Sequence, residues 1–480
     1  MKKLFLSESL PKKDSGRKQI CRVMKLTTSF LLLCSCFAFA GHANSQNAKV
    51  SLNKKHARLE EVLDEIERQK DYLFIPIKGA RVDGHDFIPQ VFEKGALVVL
   101  SDHALPEETG PYILVSSTTE AMKKIAAFYR TQLSCKVVGI TGSVGKTSTK
   151  EMIASVLEQR YKVLKTEGNF NNEIGLPLTI FKIRAKHEVT VLEMGISDFG
   201  EMHRLAAMAR PDIGVITNIG LCHLENLGTR DGILQAKTEM FDHLQVDGTV
   251  ILNGDDDKLS TKQEVNGKPV IFYGVGADSA FDIKKDIYAT DIENHGLEGM
   301  RAKIHTPQGD FDAQIPIPGE HNVYNALAGT AVGLQLGLSI REIAQGIASV
   351  QTIAGRTNLL HVKGMTVIDD CYNANPVSMK ASIDVLAHTS GRRIAVLGDM
   401  GELGAEEKEL HRNLGKAVAA SGIDALFCAG TLAEEYAREA KANPECEVHY
   451  KKTREEMTEE LLAYVKEGDT VLVKASHFME

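Results

Sequence analysis

The stretch Gly139–Met152, GITGSVGKTSTKEM, decides how this chain is read. Gly145, Lys146 and Thr147 fit the phosphate-loop template G-x-x-x-x-G-K-[ST], but Ile140 stands where the template has its first glycine. The surroundings are those the template requires: Cys135–Thr141 has the composition of a buried strand, and Thr147–Arg160 has helical periodicity. In such a strand, loop and helix unit, the backbone from Gly142 through Ser143, Val144 and Gly145 to Ser148 offers N–H groups to phosphate oxygens at a helix N-terminus. Lys146 reaches the outer phosphates and Thr147 presents a hydroxyl to Mg²⁺. A glycine-rich turn serving only to start a helix has no need of Lys followed by Thr.

Further apolar strands flank the loop and carry polar residues at their ends. VTVLEMGISDFGEM puts Glu193 at the C-terminal end of a strand, the edge that faces the ligand crevice in open α/β sheets. There a carboxylate can hold a metal ion, or simply be an exposed strand end. His223, in TNIGLCHLENLGT, follows the strand DIGVIT in the same way, although a single histidine is more often structural. Lys237 lies on a helix between Ile233 and Met240, where a solvated lysine is the default. Asn322 and Asn325 in GEHNVYNALAGTAVG share one face at a helix start, suited to a purine or sugar and equally to capping. Arg356 follows Gly355, Asp369 and Asp370 end the strand TVIDD before CYNANP, and GDMGELG (Gly398–Gly404) closes the next strand. Paired acids at a strand end before an Asn-rich turn predict a ribose or substrate site.

The 480 residues are 43% hydrophobic and 25% charged, enough for about three domains. Strands alternating with helices from Cys135 to about Val350, and again from Ala354 to Glu480, predict α/β domains with parallel sheets. The strand-rich region Gly267–Pro318 is expected to decorate the central sheet. A formal charge of −8 gives no basic excess to favour nucleic acid or an anionic membrane. The five cysteines beyond residue 130 stand alone, without CxxC pairs, which predicts reduced thiols and excludes a zinc knuckle.

The N-terminus differs in kind. Basic residues through Lys25 precede the apolar run FLLLCSCFAFAG (Phe30–Gly41) and small residues up to Ala43, the pattern of a secretory signal and too short for a membrane span. Residues 46–72 alternate and then show amphipathic helical spacing, which resembles the N-terminal module of secretin and TonB receptors. A change of texture at DYLFIPI places a boundary near residue 73.

Together, the residues from about 73 onward resemble the Mur ligase family, the ATP-dependent amide-forming ligases of peptidoglycan precursor synthesis. The family's loop is G-x-T-G-[ST]-x-G-K-[ST]-[ST], which GITGSVGKTS fits at every position, so Ile140 is no defect. EGNFNNEIGLP (Glu167–Pro177), KGARVDGHDFI, DDCYNANP and GDMGELG are similar to the branch that joins D-alanyl-D-alanine to UDP-N-acetylmuramoyl-tripeptide. The DNPR signature of the diaminopimelate- or lysine-adding branch is absent; folylpolyglutamate synthases share the loop but not the NANP stretch. The resemblance implies a three-domain architecture: a partial UDP-substrate domain (73–133), a central ATP domain with a phosphate loop (134–352) and a Rossmann-like C-terminal ligase domain (353–480). The abrupt ending HFME reads as a truncation of the last. It further implies ATP and Mg²⁺ as cofactors, with Gly142–Ser148 and Thr147 on the phosphates. Glu193, His223, Thr147 and a carbamylated Lys237 would hold metal, and Asn322, Asn325, Arg356 and Asp370 the nucleotide. Lys146, Glu193, His223 and Lys237 would carry the chemistry.

The ligase body is expected to act in the cytoplasm as a monomer, without a stable membrane span. The family's N-terminal Asp-Ser-Arg loop for the uridine nucleotide is replaced here by the signal- and receptor-like segment, while Lys78, Gly79, Arg81, Asp83 and His85 match the family. That segment reads as a fusion to an unrelated reading frame. The competing reading is an inactive scaffold in an exported envelope protein, which would have no use for Lys146, Glu193, His223 and Lys237 together.

Overall fold

The computed structural model describes residues 72–79 and 82–479. The signal-like residues 1–45, the receptor-like fragment as far as 71, and Arg81 lie outside the described residues. Three main sheets follow one another along the chain, and a short antiparallel pair, β9 (Glu264–Val265) and β10 (Lys268–Pro269), stands outside them. The first is small and parallel, in the order β1-β2-β3 (Tyr72–Phe74, Ala96–Ser101, Tyr112–Leu114), with helices Ile88–Glu93 and Thr118–Thr131.

The second sheet has nine strands in the order β14-β13-β12-β11-β8-β7-β4-β6-β5. Its parallel part is β5 (Val163–Lys165), β6 (Val189–Glu193), β4 (Lys136–Thr141), β7 (Ile213–Ile216), β8 (Thr249–Asn253) and β11 (Ile271–Val275), continued in parallel by β12 (Ile287–Asn294). Strands β4 and β6 are almost wholly buried, as expected of valine- and isoleucine-rich strands covered on both faces. The region expected to decorate this sheet extends it instead: β13 (Met300–Thr306) and β14 (Gly309–Ile315) pair antiparallel beyond β12. One face packs on helices Lys146–Leu157, His321–Gln335 and Ile340–Ala348, the other on Thr118–Thr131, Gly175–Ile180 and Glu201–Ala209. Ile140 is fully buried in the first of these layers, among Met152, Ile153 and Ala326. The residue that breaks the general phosphate-loop template is therefore a core residue of β4.

The third sheet has the order β15-β16-β20-β17-β18-β19, from β15 (Asn358–Val362), β16 (Met365–Asp369), β17 (Arg393–Gly398), β18 (Ala425–Ala429), β19 (Glu447–Lys451) and β20 (Thr470–Lys474). Strands β15 and β16 form a hairpin whose two turn residues, Lys363 and Gly364, have φ of 50° and 75°, the positive values that match strand twist in a two-residue turn. The last strand, β20, is interior, pairing in parallel with both β16 and β17.

Candidate active site

Strand β4 is the switch point of the central sheet, because the chain proceeds from it to β5 and β6 on one side and then to β7 and β8 on the other. Crevices at the carboxyl ends of such strands are where α/β proteins bind ligands. The loop Gly142–Gly145 emerges there and leads into helix Lys146–Leu157. Gly142 has φ 152°, and a Cβ on it would lie 1.9 Å from the Thr217 hydroxyl. That hydroxyl cannot easily give way, since it donates to the Val144 carbonyl at 2.7 Å. Gly145 is left-handed at φ 83°.

The segment after β7 clamps the loop. Ser143 N–H donates to the Asn218 carbonyl at 3.0 Å, Val144 N–H to Asn218 Oδ1 at 3.0 Å, and Gly220 N–H to Ser143 Oγ at 2.9 Å. The loop is thus held in shape by the protein. The N–H groups of the helix's first turn, Lys146, Thr147 and Ser148, lack intrahelical acceptors and form a positive helix end. Lys146 Nζ folds back onto the carbonyls of Gly142 (2.8 Å) and Ser143 (3.3 Å).

Glu193, at the end of β6, is 2% exposed. Its Oε1 accepts from Thr147 Oγ1 at 3.1 Å and Asn171 Nδ2 at 2.8 Å. Its Oε2 is buried without a hydrogen-bond partner among the described residues, with the Lys150 ammonium 3.8 Å away. A buried carboxylate oxygen left in this state beside a phosphate loop fits an oxygen-seeking divalent cation such as Mg²⁺.

Lys237 is 1% exposed, so it is not the solvated lysine that its helix suggests. Burial, and secondarily the charge of Lys146, push its amine down to about 8. A buried lysine of this kind is largely neutral only slightly above physiological pH. His223 caps a short helix with φ 52°, and its Nδ1 lies 2.8 Å from Glu402 Oε2 in the GDMGELG loop.

Arg356 comes from the third sheet's side of the chain. Its guanidinium stacks on Tyr372 at 4.1 Å, its Nη2 donates to Thr147 Oγ1 at 3.5 Å, and its buried Nε has no partner among the described residues. The Thr147 hydroxyl therefore joins the phosphate loop, Glu193 and Arg356.

The remaining residues are tied internally. Asn325 Oδ1 accepts from Thr149 at 2.7 Å, its Nδ2 donates to Asn322 Oδ1 at 2.8 Å, and Asn322 Nδ2 donates to the Pro318 carbonyl at 2.8 Å. These amides brace the phosphate-loop helix. Asp370 accepts from Lys474 Nζ (2.7 Å), Ser382 Oγ (2.5 Å) and Thr357 N–H (3.1 Å); Asp369 accepts from Gly355 N–H at 2.9 Å. The paired acids thus shape the turn that presents Arg356. Asn171, Lys150, Asn218, Tyr372 and Glu402 were not singled out from the sequence, although each lies within one of the stretches quoted above.

A glycine-turned phosphate loop at a sheet's switch point, with a buried acid beside it, defines a P-loop nucleotide-binding protein of the α/β class. The chain belongs to the Mur ligase family: it matches the Mur ligase middle domain over residues 140–333, the Mur ligase glutamate ligase domain over 355–477, and the Mur ligase family catalytic domain over 66–130. It is 39% identical over 424 residues to the UDP-N-acetylmuramoyl-tripeptide–D-alanyl-D-alanine ligase of Bacillus subtilis, covering 86% of this chain and 89% of that one. It superposes on MurF from Acinetobacter baumannii with a TM-score of 0.78 at 32% identity, covering 85% and 88% of the two chains. For MurF ligase from Thermotoga maritima in complex with ADP the TM-score is 0.73 at 31% identity, covering 85% and 92%.

Proposed function

We propose that this chain is the ATP-dependent ligase that joins D-alanyl-D-alanine to UDP-N-acetylmuramoyl-tripeptide, forming the pentapeptide precursor of peptidoglycan. The observation that carries the reading is the Thr147 hydroxyl, held between Glu193 and Arg356 at the mouth of the phosphate loop. In a Mur ligase, that supports a reading in which the loop, an acid and a cation surround one transferred phosphoryl group.

The N–H groups of the first helical turn, Lys146 to Ser148, would bind the phosphates of ATP, those of Ser143 and Val144 being taken by Asn218 instead, and Lys146 would supply a positive charge to the outer phosphates. Glu193, His223 and Thr147 would hold Mg²⁺, which when bound neutralises charge on the β- and γ-phosphates. Lys237, as a carbamate, would add an anionic ligand to this set; its burial and lowered basicity suit an amine that reacts with CO₂. The tripeptide's terminal carboxylate oxygen attacks the γ-phosphorus and ADP leaves, giving an acylphosphate. Arg356 and Lys146 counter the charge spread over the phosphoryl oxygens. The amine of D-alanyl-D-alanine then attacks the acyl carbon, loses a proton, and phosphate departs as the amide forms. Closure of the third domain, already in contact through Arg356 and Glu402, excludes water that would hydrolyse the acylphosphate. The first domain, with Lys78, Gly79 and Asp83, would receive the uridine nucleotide.

The groups named come from one chain, which supports a monomer as the active unit. Consumption of ATP and a nucleotide-linked precursor supports a cytoplasmic setting, and among the described residues no helix is long and apolar enough to cross a membrane.

The test is phosphate release with each substrate omitted in turn. The reading requires release that depends on the UDP-linked tripeptide and rises with D-alanyl-D-alanine. Release stimulated by folate and glutamate instead would replace it with polyglutamylation.

A further inference from the structure

Beside Asp83, the first domain groups three residues, His85, Asp102 and His103, to which the reaction above gives no role. His85 lies in the turn after β1, and Asp102 and His103 follow β2. Their ligand atoms all lie within 4.8 Å of one another. His85 Nδ1 is 2.7 Å from Asp83 Oδ1, which also accepts the His85 backbone N–H at 3.0 Å. A carboxylate bonded to Nδ1 fixes the proton there and leaves Nε2 with its lone pair, the arrangement that orients metal-ligating histidines.

The His85 side chain is only 7% exposed, and its Nε2 has no hydrogen-bond partner among the described residues. That nitrogen lies 3.3 Å from Asp102 Oδ1 without hydrogen-bond geometry. His103 Nδ1 reaches the same oxygen at 2.8 Å. Ligands about 2.0 Å from a tetrahedral zinc ion lie roughly 3.3 Å apart, so the pair is already at ligand spacing. His103 is pre-positioned as well: Ser101 Oγ donates to its carbonyl at 2.6 Å and accepts its N–H at 3.3 Å.

We propose that His85, Asp102 and His103 bind a divalent transition metal of the zinc class, with water completing the shell, and that the ion clips the Asp83–Phe87 turn to the loop after β2. Two imidazoles in a set of three ligands suit Zn²⁺ better than Mg²⁺, whose shell is made mostly of oxygen. The domain has reason to need a clip. One face of its sheet packs into the large central core through Leu73, Ile75 and Leu100, but the face toward helix Ile88–Glu93 has a small cluster of its own, Phe74, Ile88, Val91, Ala96 and Val99, with four half-buried residues against it, and small cores gain disproportionately from a metal. The metal is structural and separate from the phosphate loop's cation.

The test is calorimetric titration of the chelator-treated full chain with Zn²⁺ alone, with thermal unfolding in parallel. Asp102 and His103 are exposed, so Asp102→Asn/His103→Ala is expected to fold, which circular dichroism checks. The control is His203→Ala/His243→Ala, which removes another close histidine pair, 3.1 Å apart. The proposal expects wild type and control to bind Zn²⁺ and to gain thermal stability from it. The Asp102→Asn/His103→Ala variant should lose one equivalent of binding and that gain. No binding by wild type, or an unchanged stoichiometry in this variant, overturns the proposal.

Discussion

His223 Nδ1 and Glu402 Oε2 meet at 2.8 Å, and both residues have positive φ, 52° and 61°. A residue at the end of β7 is thus latched to the loop after β17, and the hydrogen bond to His223 holds the Glu402 carboxyl below its usual range. Glu402 is solvent-exposed, so the pair is worth at most about 1 kcal/mol, or roughly fivefold in a closed-to-open equilibrium. Glu402→Ala should leave the unfolding temperature nearly unchanged while opening the nucleotide-free chain. Small-angle scattering should show a larger radius of gyration; an unchanged radius would mean that the latch does not hold the domains.

Lys146→Ala should reduce phosphate release by about 10²-fold or more, since it removes a cation aimed at the transferred group. Among the described residues its side chain bonds only to carbonyls of its own loop, so circular dichroism and thermal stability should barely change. Turnover within a few-fold of wild type would show that Lys146 does not meet the phosphates.

Lys237→Met should inactivate the enzyme and stabilise it. In metal-free, CO₂-free buffer at pH 7 the buried amine is protonated both folded and unfolded, and a basicity lowered from 10.5 to about 8 corresponds to about 3 kcal/mol of destabilisation. The folded chain releases this proton first, so wild-type stability from this group rises between pH 8 and 10.5. Denaturant titration at pH 7 should therefore show Lys237→Met more stable than wild type. A less stable variant would mean that the ammonium has a compensating partner.

A separate pH effect belongs to the GDMGELG loop. His411 is fully buried, accepts the Met400 N–H at Nε2 (3.0 Å) and lies 2.6 Å from the Glu407 carbonyl at Nδ1, so it serves the loop as a neutral ring. Burial holds its basicity below the ordinary histidine value. The unfolded chain then binds the proton more readily, and stability falls as pH drops below about 6.5, by up to roughly 1.4 kcal/mol per pH unit until the folded ring titrates. His411→Gln should flatten this part of the stability profile between pH 7 and 5. A variant profile parallel to wild type would assign the acid sensitivity elsewhere.

What was legible in the sequence follows from how each feature is encoded. The phosphate loop is local, since Gly142, Gly145, Lys146 and Thr147 fall within six residues and the flanking strand and helix announce themselves by periodicity. The buried parallel strands were legible for the same reason. Lys237 was singled out by the resemblance alone, and its burial was not legible, because helical spacing defines a face without saying whether that face is covered. Asn218, Asn171 and Glu402 act across long separations, bonding to Val144, Glu193 and His223, and nothing local marks such partners. Asp369 and Asp370 read as ligand acids, and in the fold their oxygens also hold the backbone of Gly355 and Thr357 around Arg356. That positioning of the arginine is visible in the fold alone.

The most direct measurement of the central claim is oxygen tracing with tripeptide labelled by ¹⁸O in its terminal carboxylate. If the phosphate loop transfers the γ-phosphoryl group to that carboxylate, one labelled oxygen must appear in each phosphate released, and Lys146→Ala must suppress product and labelled phosphate together. Pentapeptide formed with unlabelled phosphate would contradict the acylphosphate route and, with it, the role assigned to the Thr147, Glu193 and Arg356 site.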